Sequence, residues 1–248
     1  MRTLSLREKP ILAGLYLSKF DSDGLRALGF DSFVEAFNVI GSALGVRPAS
    51  IKNYRDEFDP LFPNSRKGWH KRPTRDYCKV VYDAFGGLDL EDFTNLLKRV
   101  IYREHDLGVL IEEVERKQGD ARSFAKRLIT GQAAEQYFKS KYKEIDLFRD
   151  FDLEDTTQLG CGFDFKLFSP SVFYGIEVKG LSEPNGSIAL TNKEHSVASI
   201  LKDRFFLFVV KNFKESPFHD IYRNPLSGSL QFTRKERVVV QVAWLATV

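Results

Sequence analysis

The chain predicts an α+β fold with an α/β core: a helical amino-terminal region carrying a helix-turn-helix-like hairpin, followed by an α-β-β-β-α-β series around a mixed central sheet. Three observations carry this. Apolar residues recur at helical spacing through the first half, and short apolar runs separated by Gly, Pro, Ser and Asn clusters fill much of the second. Between the two, the polar Gln118-Gly119-Asp120 breaks the helical pattern. A domain boundary is expected there, with residues 1–118 as one region and 119–248 as the other.

Ser32 with Glu35 three residues on forms a capping box, and Phe33, Phe37, Ile40 and Leu44 follow at helical spacing. Gly45 stops this helix. A second runs from about Pro48 to Phe58, with Pro48 tolerated in the first turn and Ile51, Tyr54 and Phe58 on one side. Two helices joined through Ala43-Leu44-Gly45-Val46 resemble a helix-turn-helix, which would present Arg47, Ser50, Lys52, Asn53 and Arg55 to DNA. The alternative is a structural αα-hairpin or partner surface. From Pro60 to Arg75 the bases Arg66, Lys67, Lys71, Arg72 and Arg75 occur without an acid, interleaved with Phe62, Trp69 and His70. Clustered positive charge with aromatics suits a phosphate backbone, and equally a solvated basic loop. Helices are expected near Tyr77 to Phe85, Asp89 to Tyr102 and Leu107 to Lys117; Leu90, Phe93, Leu96, Leu97, Val100 and Ile101 form a wide core stripe.

In the second region a helix is expected from about Thr130 to Tyr142. The polar loop Asp152 to Thr157 leads to a strand over Gly162 to Phe168, which Ser169-Pro170-Ser171 turns into a second, Phe173 to Lys179. A short third strand (Ser187 to Thr191), an amphipathic helix (Asn192 to Lys202), a buried strand (Arg204 to Lys211) and more β-structure complete the order.

Composition bounds the function. The 248 residues are 43% apolar, ample for a core, and the net charge of +3 is only mildly basic. No segment approaches the ~20 apolar residues of a membrane span, and Met1 to Pro10 lacks the apolar core of a signal peptide. A cytoplasmic location without a membrane partner is the expectation. Cys78 and Cys161 are far apart and form no Cys-x-x-Cys pair, so they are expected as buried thiols, not a disulfide or zinc site. His195 and His219 lack a recognisable nucleophile or His-x-x-x-His partner, which points to surface or core roles. Walker, Rossmann and Gly-x-Ser-x-Gly signatures are all absent, which excludes nucleotide hydrolysis and esterase chemistry.

The chemistry concentrates at Glu177-Val178-Lys179 and at Asp164. Strand interiors are depleted in acids, so an acid on each of two β-like runs, with a lysine two residues after the second, asks for a local counter-charge. Side-chain alternation puts Glu177 and Lys179 on one face and Val178 on the other. Mg²⁺ takes oxygen ligands, often only one or two carboxylates from the protein, and Asp164 with Glu177 meets that requirement. An acid-x-Lys triplet also occurs at Glu115-Arg116-Lys117 and Asp164-Phe165-Lys166; the apolar, β-like setting distinguishes Glu177.

These motifs and the element order resemble the restriction-endonuclease-like superfamily, named for its PD-(D/E)xK motif, whose members mostly cut DNA with Mg²⁺. Gly162-Phe163-Asp164-Phe165 stands for the first motif, with Phe163 where the motif's name has proline, and Glu177-Val178-Lys179-Gly180 for the second. Leu190-Thr191-Asn192-Lys193-Glu194 resembles a pattern that follows Glu-Val-Lys-Gly in a branch found in bacterial restriction and defence proteins. The likeness spans roughly Ala125 to Phe213. It implies that Asp164, Glu177 and the carbonyl of Val178 hold the metal, that Lys179 positions the attacking water, and that Glu135 is the acid on the preceding helix, for which a solvated helix face is the alternative. Thr191, Asn192 and Glu194 are read first as a helix cap, with Asn192 also a candidate to touch DNA. The implied protein is a Mg²⁺-dependent DNA endonuclease, most economically a type II-like restriction enzyme, working on double-stranded DNA as a homodimer. Rival readings are a non-cleaving DNA-binding or interaction protein that keeps the fold, and a nuclease of RNA or of modified or branched DNA.

Overall fold

The computed structural model describes residues 4–64, 66, 73–101, 121–228 and 230–235, with the backbone alone for 121–125. Lys67, Lys71 and Arg72 of the basic loop, the expected helix at 107–117, the boundary tripeptide and the carboxy-terminal apolar run lie outside the described residues.

The amino-terminal part is helical, as its periodicity predicts: α1 (Glu8–Leu28), α2 (Phe33–Ala43), α3 (Pro48–Phe58), α4 (Asp76–Phe85) and α5 (Leu90–Ile101). The sequence reading names no element before Ser32, yet α1 is the hub. Ile11, Leu12, Ala13, Leu15, Tyr16 and Leu17 are all buried, the signature of a helix surrounded by others and so lacking a polar face. It bends at Asp21, where φ is +45°. A Cβ at Gly14 would stand 2.4 Å from the Tyr54 Cβ, so α1 and α3 cross at close range. The α2–α3 hairpin is present as predicted. Ser32 caps α2 by accepting from the Glu35 N–H (3.2 Å), and Gly45 takes φ +68° in the turn, a left-handed conformation natural to glycine.

Among the described residues the second part forms a five-stranded mixed sheet in the order β1 (Asp152–Asp155), β2 (Phe165–Phe168), β3 (Phe173–Gly180), β4 (Phe205–Lys211) and β5 (Phe218–Arg223). Among the described residues only β3 and β4 run parallel; the other neighbours are antiparallel. Helices α6 (Ala121–Lys141) and α7 (Asn192–Leu201) complete it. The letters α-β-β-β-α-β match the expectation, but one member differs. Ser187 to Thr191 is not a strand, and the first strand is Asp152–Asp155, expected as a polar loop. It forms because Glu154 and Asp155 pair with Lys166 and Phe165 on β2, while its outer edge faces water and tolerates charge.

Two glycines on β3 place the helices. A Cβ at Gly180 would meet the Thr130 carbonyl at 2.6 Å and Ala134 at 3.1 Å, so α6 lies on that face. A Cβ at Gly175 would meet Phe163 and Leu201, so α7 lies on the other, since residues an odd number apart point to opposite faces. Under α6 an aromatic cluster forms the core: Phe138 stacks on Phe165 (5.2 Å) and meets Phe208 edge-on (4.9 Å). The helical region is docked on this unit. Helix α2 packs along α6, and buried Asn38 donates from Nδ2 to the carbonyls of Phe213 (2.8 Å) and Glu215 (2.9 Å) just after β4.

Candidate active site

The expected residues converge where β2 falls short of β3. The last paired register is Phe165 with Ile176, so from Glu177 onward β3 has no β2 residue beside it. Asp164 extends the ladder in place of a strand: its N–H donates to the Ile176 carbonyl (2.9 Å) and its Oδ2 accepts from the Val178 N–H (2.8 Å). In an extended strand the N–H and C=O of one residue point to the same side. The Val178 carbonyl therefore faces the Asp164 side, next to that carboxylate.

Glu177 and Lys179 share the α7 face of β3, as alternation predicts, and Lys179 Nζ lies 2.5 Å from Glu177 Oε1. Glu177 is only 3% exposed. Burial, with the Asp164 carboxylate adding to it, holds its carboxyl well above the usual range, while the Lys179 ammonium opposes the rise. Burial alone would lower Lys179, but the carboxylates of Glu177 and Glu194 outweigh it and hold the ammonium above its ordinary value. Lys179 Nζ also lies 2.9 Å from Glu194 Oε2.

Asp164, Glu177, Val178 and Lys179 line one cavity of about 860 Å³, together with Glu135, Glu194, Lys126, Arg127 and the segments 180–182 and 187–189. Lys126 is itself bound to buried Glu35 (3.0 Å). The residues fit a hard divalent cation: two closely placed carboxyl groups, one of them buried, beside a main-chain carbonyl give an all-oxygen donor set. Glu135 lines the same cavity from α6.

The other candidates divide. Arg47, just before α3, and Lys52 and Asn53 on it are exposed and Ser50 is half-buried, with Lys52 paired to Asp56 (2.5 Å). Arg55 is corrected: it is 8% exposed, bonded to Asp56 (2.6 Å) and laid over the rings of Phe33 and Phe37. Its apolar stem and flat guanidinium suit an aromatic cleft between helices, so it holds the hairpin together and does not face outward. Arg66 is likewise engaged within the fold, at 2.8 Å from both Asp21 and buried Asp59. Asn192 is exposed at the first turn of α7. His219 is half-buried on β5, stacked on Phe208 (4.6 Å) with Tyr137 Oη 3.2 Å from Nδ1, and His195 is exposed. Cys78 is buried as expected and Cys161 half-buried.

The sequence places Glu194 in a family-like stretch read first as a helix cap that could also touch DNA, not as a partner of Lys179, and it does not single out Lys126 or Arg127. The signal for Glu194 was a capping box placed soon after an acid-x-Lys strand, which brings its carboxylate back over that strand. The Lys126-Arg127 pair lies one turn before Thr130, at the point where α6 crosses Gly180.

A family model described as Protein NO VEIN, C-terminal, matches residues 132–223. The stretch runs from within α6 to the end of β5 and contains Glu135, Asp164, Glu177, Lys179 and Glu194. No curated protein and no solved structure matches the chain. No helix among the described residues is long and apolar enough to cross a membrane.

Proposed function

We propose that this chain is a Mg²⁺-dependent endonuclease of double-stranded DNA, most economically a type II-like restriction enzyme acting as a homodimer. One observation carries the reading: Asp164, Glu177 and Lys179, predicted as a metal-nuclease constellation, meet where the central strand β3 runs past the end of β2, and they line one cavity. The family match over residues 132–223 supports it, because that domain is associated with a PD-(D/E)xK-like nuclease fold.

Asp164, Glu177 and the Val178 carbonyl would hold the cation, with Glu135, which lines the same cavity, a candidate ligand for a second. When bound, Mg²⁺ supplies Lewis-acid polarisation of the scissile phosphate and lowers the pKa of a coordinated water. Lys179 places a fixed ammonium beside that phosphate and stabilises the negative charge that develops on it. Burial of Glu177 strengthens each of these electrostatic contacts relative to water. The amino-terminal helical region would contribute DNA reading through the exposed Arg47 just before α3 and Lys52 and Asn53 on it, and two subunits would cut the two strands.

The test is plasmid cleavage with Mg²⁺, with EDTA, and by Lys179→Ala. Cutting by the wild type alone, and only with the metal, is expected. Cutting that survives the chelator or the alanine removes the site assignment. A wild type that binds DNA but cuts no DNA or RNA substrate supports a non-cleaving DNA-binding protein instead.

A further inference from the structure

Lys179 has two carboxylate partners, and only one of them belongs to the metal constellation. Its Nζ contacts Glu177 Oε1, a group the cation would also use, and Glu194 Oε2, which lies on another element. A divalent ion on Glu177 and an ammonium on the same oxygen are like charges competing for one site. Without a second anchor, Lys179 would either exclude the cation or be displaced by it from the place where its charge is needed.

Glu194 is built to be that anchor. Its Oε2 accepts from the Thr191 N–H (2.9 Å), and its own N–H donates to Thr191 Oγ1 (3.2 Å), a reciprocal capping box that fixes the carboxylate on the first turn of α7. A helix amino terminus favours negative charge. The turn is in turn fixed to the site: a Cβ at Gly162, two residues before Asp164, would meet Val197 of α7 at 2.7 Å, and Ala198 is buried. The carboxylate is thus held by the helix cap and the sheet, independently of whatever occupies Glu177.

We propose that Glu194 is a positioning residue for Lys179: it retains the ammonium over the cavity when a divalent cation takes Glu177, so that cation and lysine act at once. This rests on the nuclease reading above.

Glu194→Gln keeps an oxygen to accept the Thr191 N–H but loses the charge; Thr191→Ala keeps the charge and that N–H but loses the hydroxyl half of the cap. The two separate positioning from capping. Mg²⁺ affinity is measured by calorimetry without DNA, and the single-turnover cleavage rate on plasmid at saturating Mg²⁺. Glu194→Gln is expected to weaken Mg²⁺ binding and to lower the saturated rate, each by about 10–100-fold, the usual range for outer-shell partners of a metal site. Thr191→Ala should stay within about twofold of wild type in both, because the ion pair remains. In the Lys179→Ala background Glu194→Gln should change Mg²⁺ affinity by less than about twofold, because a residue acting through Lys179 has nothing left to act on. Equal losses in the two backgrounds, or a Thr191→Ala defect as large as that of Glu194→Gln, overturn the proposal. A wild type that neither binds Mg²⁺ nor cuts overturns the nuclease reading itself, before any variant is made.

Discussion

Helix α6, which carries Glu135, crosses β3, which carries Glu177 and Lys179, at Gly180, and the closeness of that crossing sets a measurable asymmetry between two glycines. A methyl at Gly180 would lie 2.6 Å from the Thr130 carbonyl and 3.1 Å from both the Thr130 Cγ2 and the Ala134 Cβ. The nearest atom is helix backbone, so relief requires α6 to shift as a body. Overpacking of this kind costs about 1–3 kcal/mol. Gly131, the residue after Thr130 on the same helix, has nothing among the described residues within 4 Å of its would-be Cβ. There alanine gains about 0.5–1 kcal/mol from reduced chain entropy. For a chain of this length 1 kcal/mol corresponds to about 2–4 °C in Tm. Gly180→Ala should therefore melt about 2–12 °C below wild type and Gly131→Ala about 1–4 °C above it, read by circular dichroism at fixed protein concentration. A Gly180→Ala protein melting at or above the wild type would refute the crossing, and with it the placement of Glu135 beside the strand acids.

Other expectations follow from single contacts. Asn38→Ala should lower unfolding free energy by about 1–3 kcal/mol in denaturant titration, because it leaves the Phe213 and Glu215 carbonyls without their donor; no change would mean that the two parts are not tied there. Arg55→Ala should cost a similar ~1–3 kcal/mol of stability, through the lost pairing with Asp56 and the lost aromatic packing; a purely DNA-binding defect with unaltered melting would return it to the recognition surface. Burial pushes the Cys78 thiol up to about 12, so at pH 8 a thiol reagent should modify Cys161 first and Cys78 only on unfolding; two equally fast reactions would contradict the core position of Cys78. His219 is held below its ordinary value by burial. The unfolded chain then binds more protons, so this stability is complete above about pH 6.5 and is lost as pH falls through the folded value. His219→Phe should flatten that slope in pH-dependent melts, and an unchanged slope would assign the titration elsewhere.

What the sequence made legible was local. Ser32 with Glu35 and Thr191 with Glu194 declare helix starts within four residues, and both caps are present. The period-two placement of Glu177 and Lys179 needs only knowledge that the run is a strand, and their side chains meet. What stayed hidden depends on partners far along the chain. Asp152–Asp155 reads as a loop because its composition is polar, and it becomes a strand only because β2 lies beside it. Ser187 to Thr191 has the pattern of a strand but pairs with no strand among the described residues. Arg55 looks outward on a helix drawn alone, until Phe33 and Phe37 are folded over it. Asp164 sits just before β2, with a side chain that substitutes for a ladder bond. Its role as an acid was readable, but its capping of the Val178 amide was not.

In the proposed reaction the buried carboxylate on β3 acts with a divalent cation in breaking phosphodiester bonds. The most direct measurement is the initial rate of supercoiled plasmid cleavage by wild type and by Glu177→Gln, with the folded state of each confirmed by its melting curve. The Mg²⁺-dependent wild-type rate should fall by about 10²–10³-fold in Glu177→Gln, the loss expected when a preorganised electrostatic contact to the reacting centre is removed, while folding is retained. A Glu177→Gln protein that cuts at the wild-type rate would contradict it.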